Sequence, residues 1–168
     1  MTANCHASTQ WFMSEFVPTS TQRRGRYQLL VTSILVPVDG SDHAEKALNY
    51  ALEMAEKHGA KVEILTVVNE VKMAPDWARE YSEKLREQGE EVLESTFSKA
   101  VKQKPGVEIS KCLAEGYVSE EILKCAEKGN HDLIVMGSRG MGLVRGLVLG
   151  SVSSRVVNQA KIPVLIVK

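Results

Sequence analysis

Leu133-Ile134-Val135-Met136-Gly137-Ser138-Arg139-Gly140, then nine residues, then Gly150-Ser151-Val152-Ser153, is the stretch on which the reading of the fold turns. The aliphatic run Leu133 to Met136 predicts a short buried strand. A helix is expected from about Ser151 to Ala160, with Ser151 as its N-cap. A strand that runs through glycines into a helix amino terminus gathers backbone amides around a concavity. Such a concavity holds an anion without any charged side chain. Glycine serves this purpose by admitting positive φ and by letting the backbone approach a ligand closely. Ser151 and Ser153 would add hydroxyl donors at the same place.

Working outward, the rest of the chain alternates strand and helix. Thr32 to Val38 is a β-branched run ending in Pro37-Val38-Asp39-Gly40, and reads as the first strand. Ser41 is the expected N-cap of the next helix, with Asp42 and Glu45 placed to suit the helix dipole. Ala44, Ala47, Leu48, Ala51, Leu52 and Ala55 form its apolar face, and Gly59 ends it. Lys61 to Val68 is the second strand. Asp76 to about Lys102 is a long charged helix whose expected buried side is Trp77, Tyr81, Leu85, Val92, Leu93 and Phe97; Pro105-Gly106 break it. Val107 to Ala114 reads as the third strand, Ser119 to Lys128 as a short helix, and Ile162 to Val167 as a fifth strand.

This alternation predicts an α/β fold: a doubly wound, five-stranded parallel sheet with helices on both faces, and the strand order expected is 3-2-1-4-5. Ligands in such sheets sit beyond the carboxyl ends of the strands, where strand order reverses. The loops after the first and fourth strands are the richest, which places the expected site between them. Residues 1–26 carry Ser, Thr, Gln and Arg with no apolar period, and read as a flexible arm or a mis-assigned start. The domain is expected to span 27–168.

Composition narrows the function. Of 168 residues, 43% are apolar and only 5% aromatic, so the core must be aliphatic. Lys plus Arg equals Asp plus Glu at 21 each, which gives no long-range attraction to nucleic acid or an anionic membrane. No apolar run reaches the roughly 20 residues that span a bilayer. Arg23-Arg24 ahead of Tyr27 to Val38 mimics an export signal, but the run lacks a small-residue cleavage site and contains the first core strand. Cys5, Cys112 and Cys125 form no CxxC pair and no Cys/His cluster, which predicts free thiols at packing positions in a reducing, cytoplasmic compartment. His6, His43, His58 and His131 show no metal-binding spacing, and no metal ligand is assigned.

Two familiar phosphate loops do not fit the glycine segment. There is no GxxxxGK[ST]. The dinucleotide fingerprint is met at Gly140 and Gly142, but its third position holds Arg145, with Gly146 one residue late. Arg139 and Arg145 carry guanidinium groups suited to phosphate oxygens, with solvated loop charge as the competing reading.

Val36-Pro37-Val38-Asp39-Gly40-Ser41, the spacing Gly137-x2-Gly140-x9-Gly150-Ser151, and the closing Pro163-Val164-Leu165-Ile166-Val167 together resemble the universal stress protein family, in its ATP-binding branch. The resemblance covers Ser33 to Lys168. It implies that Pro37, Val38 and Asp39 lie against the adenosine and that Val67 offers backbone groups to the adenine edge. It further implies that Met136 and Gly137 border the ribose, while Gly140, Gly150, Ser151 and Val152 hold the phosphates; Ser138, Met141, Gly142 and Ser153 complete the expected ligand set. ATP is the implied cofactor, with Mg2+ bridging its phosphates and Asp39 as the only weak candidate ligand. A homodimer through the last strand is implied, an edge covered by the amino-terminal arm being the alternative.

The function expected is a regulatory, stress-response protein acting through its ATP-loaded state. The alternative is a slow or partner-dependent ATP hydrolase. No catalytic base or lysine clamp is assigned, and hydrolysis needs both a positioned water and charge stabilisation at the γ-phosphate. A flavin or dinucleotide protein on a similar sheet is disfavoured by the failed fingerprint and the lack of loop aromatics.

Overall fold

The computed structural model describes residues 31–69, 76–142 and 149–168, with only the backbone of 76–79. The expected arm at 1–26, Arg145 and the side chain of Trp77 lie outside the described residues. The elements are β1 (Ser33–Pro37), α1 (Asp42–His58), β2 (Lys61–Val68), α2 (Asp76–Gln103), β3 (Ile109–Glu115), α3 (Val118–Lys128), β4 (Leu133–Gly137), α4 (Ser151–Gln159) and β5 (Val164–Val167). All strand pairs are parallel and the order is β3-β2-β1-β4-β5, as the alternation predicts.

Central and edge strands differ in burial. Apart from half-buried Pro37, β1 and β4 are buried on both faces, the expected state of parallel strands between helical layers. The edge strands β3 and β5 are only partly covered. One layer packs α1 and α2 on Ile34, Val36, Val62, Ile64, Leu133 and Val135. The other packs α3 and α4 on Leu35, Leu65, Ile134 and Met136, centred on Ile122 and Val156. Alternate residues of each strand feed opposite layers, as the pleat requires.

α1 starts and stops where its sequence directs. Ser41 Oγ accepts from the Ala44 amide at 3.3 Å, and Gly59 closes the helix in the left-handed region at φ +67°. All six residues of the expected apolar face are buried.

α2 corrects the expectation. Leu93 is buried, Phe97 packs against the core, and Leu85 and Val92 are half-buried, but Tyr81 is 53% exposed. The helix is seated on the sheet by Gly89, Leu93 and Ala100, all buried. Tyr81 lies eight residues before Gly89 and so is turned about 80° away from that line of contact. An ideal Cβ on Gly89 would stand 2.5 Å from Val68 Cγ2. Absence of a side chain therefore sets how closely α2 approaches β2.

The amino end of the sheet is fastened by Asp132. One carboxylate oxygen accepts from the Thr32 amide (2.8 Å), Thr32 Oγ1 (2.7 Å) and the Ser33 amide (3.0 Å). Burial pushes this carboxyl upward, but the bonds from Thr32 and Ser33 outweigh it and hold the group below its ordinary value. Beside it, His131 is buried between Ser33 Oγ (2.8 Å from Nδ1) and Glu63 Oε2 (3.0 Å from Nε2). Burial lowers the imidazole's proton affinity against the pull of Glu63, which favours the neutral ring. A carboxylate can only accept, so Nε2–H donates to Glu63 and Nδ1 accepts from the Ser33 hydroxyl.

Two stability predictions follow from these seats. Gly89→Ala gains about 0.5–1 kcal/mol of helix preference but overpacks a stiff β-branched neighbour at about 1–3 kcal/mol. A melting temperature lowered by a few degrees is expected, and an unchanged or raised one contradicts the seat. Asp132→Ala is expected to cost about 1–2 kcal/mol near pH 7. A depressed carboxyl stabilises above its unfolded value near 3.9 and loses that contribution as pH falls through the lower folded value. Denaturation curves of parent and variant should therefore converge below about pH 3.

Candidate functional site

β1 and β4 pair at Ile34–Leu133 and Leu35–Ile134, and beyond these pairs their loops part. β1 leads back toward β2 and β3, whereas β4 leads to β5, so the reversal of strand order falls between them. A cleft of about 360 Å³ opens there, beyond the carboxyl ends of the strands. It is lined by Pro37, Val38, Asp39, Val67, Met136, Gly137, Arg139, Gly140, Met141, Gly142, Gly150, Ser151, Val152 and Ser153. Of the residues singled out from sequence, only Ser138 does not line it. Ala44, Leu65, Asn69, Val118 and Ile122 line it as well; as ordinary core or loop residues they carry no sequence signal.

Asp39 ties the two loops together. Its Oδ1 accepts from the Ser41 amide (3.1 Å) and hydroxyl (2.6 Å), and its Oδ2 accepts from the Met141 amide (3.0 Å). Both acceptor positions of Oδ1 are used, and one remains on Oδ2. A Cβ on Gly140 would fall 2.2 Å from that same Oδ2. A Cβ on Gly137 would fall 2.9 Å from the carbonyl carbon and Cβ of His43, so α1 crosses β4 directly over this glycine.

The role expected of the loop glycines is therefore corrected in part. Positive φ among described glycines occurs at Gly40, Gly59 and Gly116, and not at Gly137, Gly140, Gly142 or Gly150. Close approach, rather than left-handed backbone, is what the loop requires of them.

Ser138 serves the frame. It is fully buried, its amide donates to Val167 O (2.7 Å), and its carbonyl accepts from the Gly150 amide (2.8 Å) and Ser153 Oγ (2.9 Å). These bonds hold the start of α4 against the end of β4. They also turn the Ser153 hydroxyl onto backbone carbonyls of the loop, so it is engaged by the frame rather than free for a ligand. The expected N-cap is corrected too: Gly150, not Ser151, occupies that position. No side chain caps α4 and no acidic residue lies in its first turn. The amides of Ser151 and Val152 thus border the cleft with the positive end of a helix uncompensated.

At the opposite wall, the Val38 amide donates to Leu65 O at 2.8 Å. Alternate residues of a parallel strand turn their backbone edges to opposite neighbours. Val67, two residues past Leu65, therefore presents its N–H and C=O on the β1 side, after β1 has ended.

Among the described residues, three buried side-chain polar atoms lack a partner: His43 Nδ1, Ser138 Oγ and Arg139 Nε. All three belong to the glycine loop or to the helix packed on it. A larger groove of about 650 Å³ runs between α2 and β3, and both of its cations are paired within the protein, Arg86 with Glu90 (3.1 Å) and Lys111 with Glu94. Glu87 and Glu91 line it as well and are exposed, and the groove reads as solvated surface. No described helix is long and apolar enough to cross a membrane.

Known proteins share this architecture. A universal stress protein of Methanocaldococcus jannaschii is 37% identical over 143 residues, covering 83% of each chain. One from Thermus aquaticus is 38% identical over 138 residues, covering 81% of this chain and 98% of the relative. Among solved structures, the universal stress protein UspA from Lactobacillus plantarum superposes with a TM-score of 0.74 at 24% identity, over 82% of this chain and 98% of that one. A universal stress protein in complex with cAMP gives 0.65 at 23% identity (83% and 98% covered), and one from Archaeoglobus fulgidus in complex with dAMP gives 0.64 at 24% (83% and 99%). The family model for universal stress proteins matches residues 31–168, every described element included. The chain belongs to the universal stress protein family.

Proposed function

We propose that this chain is an ATP-binding regulator of the stress response, acting through its nucleotide-loaded state. The observation that carries the reading is the cleft between β1 and β4, where loop backbone, an uncapped helix terminus and the unpartnered Arg139 Nε converge. The adenine would lie between Val38 and Val67, with the Val67 backbone edge reading its polar rim. The ribose would rest near Asp39 and Gly137, and the phosphates would take the amides of Gly140, Gly150, Ser151 and Val152. Arg139 stands at the phosphate end, its Nε buried without a protein partner. Family structures in complex with cAMP and dAMP support an adenine nucleotide as the ligand class.

Binding is favoured over turnover for a physical reason. Asp39 is the carboxylate nearest the phosphate end, and three of its four acceptor positions are used or committed by loop bonds and by its place against Gly140. It is a poor base for activating water. Its remaining acceptor position suits a ribose hydroxyl or one water of a Mg2+ that is otherwise held by phosphates. The partly exposed edge of β5, with Leu165 37% exposed, favours a homodimer formed through that strand.

The deciding test is direct. Purified protein is denatured, the supernatant is analysed for adenine nucleotide, and the stripped protein is titrated with ATP and AMP. Measurable ATP affinity is expected; an empty protein with no affinity for either ligand overturns the reading. Gly150→Val should weaken ATP by about tenfold or more (about 1.4 kcal/mol) and AMP by less, because the branched side chain obstructs the phosphate end. The fold should survive, since a Cβ there meets its nearest protein atom at an ordinary 3.4 Å. Equal losses for ATP and AMP would place the phosphates elsewhere.

A further inference from the structure

Under α3, the aliphatic layer is interrupted by a polar cluster. Cys112 of β3, Cys125 of α3 and Glu63 of β2 bring one donor atom each within 4.8 Å of one another. All three are half-buried, so solvent reaches them. We propose that Cys112, Cys125 and Glu63 form a binding site for a thiophilic divalent cation, with zinc as the ion it fits, and that His131 positions the Glu63 carboxylate.

Donors bound tetrahedrally to zinc at about 2.0–2.3 Å lie about 3.3–3.8 Å apart. Cys125 Sγ already stands 3.8 Å from Glu63 Oε1. The remaining donor separations are within 4.8 Å. The carboxylate is aimed by its other oxygen, because Glu63 Oε2 accepts from His131 Nε2 at 3.0 Å and His131 Nδ1 is held in turn by Ser33 Oγ at 2.8 Å. Supporting chains of this type fix a metal-binding carboxylate and strengthen its site. Two sulfurs and one oxygen select zinc over magnesium or calcium, which prefer all-oxygen sets. A water from solvent completes the fourth position, and the two thiol protons leave to solvent as the sulfurs bind.

A disulfide switch is the competing use of two neighbouring thiols. Burial, followed by the Glu63 charge, pushes the Cys125 thiol up to about 12 and raises that of Cys112. Thiols so protonated are poor nucleophiles toward an oxidant. A cation, by contrast, is drawn to the carboxylate that disfavours the thiolates. Cys112, Cys125 and Glu63 are not among the residues that line the nucleotide cleft, and the inference does not rest on the function proposed above.

The test uses the full chain carrying Cys5→Ser, reduced and stripped of metal, and titrated with Co2+ and then Zn2+. A thiolate-to-cobalt absorption band with tetrahedral d–d bands is expected, abolished by one equivalent of Zn2+. Cys112→Ser and Cys125→Ser should each weaken Zn2+ beyond about 100-fold, and His131→Gln by about 10–100-fold. Circular dichroism identifies any variant that fails to fold, and Zn2+ should raise the melting temperature of the parent but not of the double cysteine variant. Absence of the cobalt band in the parent, its persistence in the double variant, or air oxidation to a Cys112–Cys125 disulfide without any metal uptake overturns the proposal.

Discussion

The seam between β1 and β4 is the contact on which the rest of the molecule depends. Two residue pairs, Ile34–Leu133 and Leu35–Ile134, join one half of the sheet to the other. Their side chains are almost wholly buried and divide between the two helical layers, so the seam anchors both cores at once. Each end is fastened by an aspartate that reaches across it. At the amino end Asp132 holds Thr32 and Ser33, and at the carboxyl end Asp39 holds the amide of Met141. A short seam with a polar clamp at each end lets the strands part early. The parting creates the cleft.

What surrounds the cleft follows from how closely backbones must approach. Gly137 lies under the α1 backbone at His43, and Gly140 lies against Asp39, so each has a reason within the protein itself. Gly150 does not: its φ is −73°, open to any residue, and a Cβ there meets only ordinary contacts. Its amide donates to Ser138 O, and its carbonyl accepts from Ser154 N and from Ser153 Oγ. Gly150 lines the cleft and no close approach within the protein demands a glycine there, which is why this position separates ligand from scaffold better than the other two.

The sequence was most legible where one local rule acted alone. α1 carries a capping serine, a three-to-four apolar repeat and a closing glycine, and all of them appear as expected. The strands and their parallel pairing follow from the alternation of elements, and the expected order 3-2-1-4-5 is the one observed. Legibility failed where a distant contact made the choice. Tyr81 fits the apolar period of α2, but the helix is rotated by the need to seat Gly89 on Val68, which no window of α2 reveals. Ser151 looks like a cap, but the Ser138 carbonyl fixes Gly150 there and turns Ser153 inward across fifteen residues. Most of the residues lining the cleft were singled out beforehand, the loop residues by the glycine spacing and Pro37, Val38, Asp39 and Val67 by the family resemblance. Ala44, Leu65, Asn69, Val118 and Ile122 were not, because a cleft wall made of ordinary core looks like core.

The same limit explains the cluster beneath α3. Cys112 and Cys125 lie thirteen residues apart on a strand and a helix, and Glu63 lies about fifty residues before them, so no spacing rule connects them. Only the pairing of β2 with β3 and the packing of α3 brings the donors together. Within an aliphatic layer such a group is not explained by stability. Replacing a buried polar set by apolar residues of similar volume is often neutral or stabilising. Glu63 and His131 satisfy one another and Ser33 satisfies the ring, while among the described residues the second oxygen of Glu63 meets a thiol, a weak donor at 3.8 Å. That oxygen is left with an acceptor position facing the two sulfurs, which is the arrangement a bound cation would use.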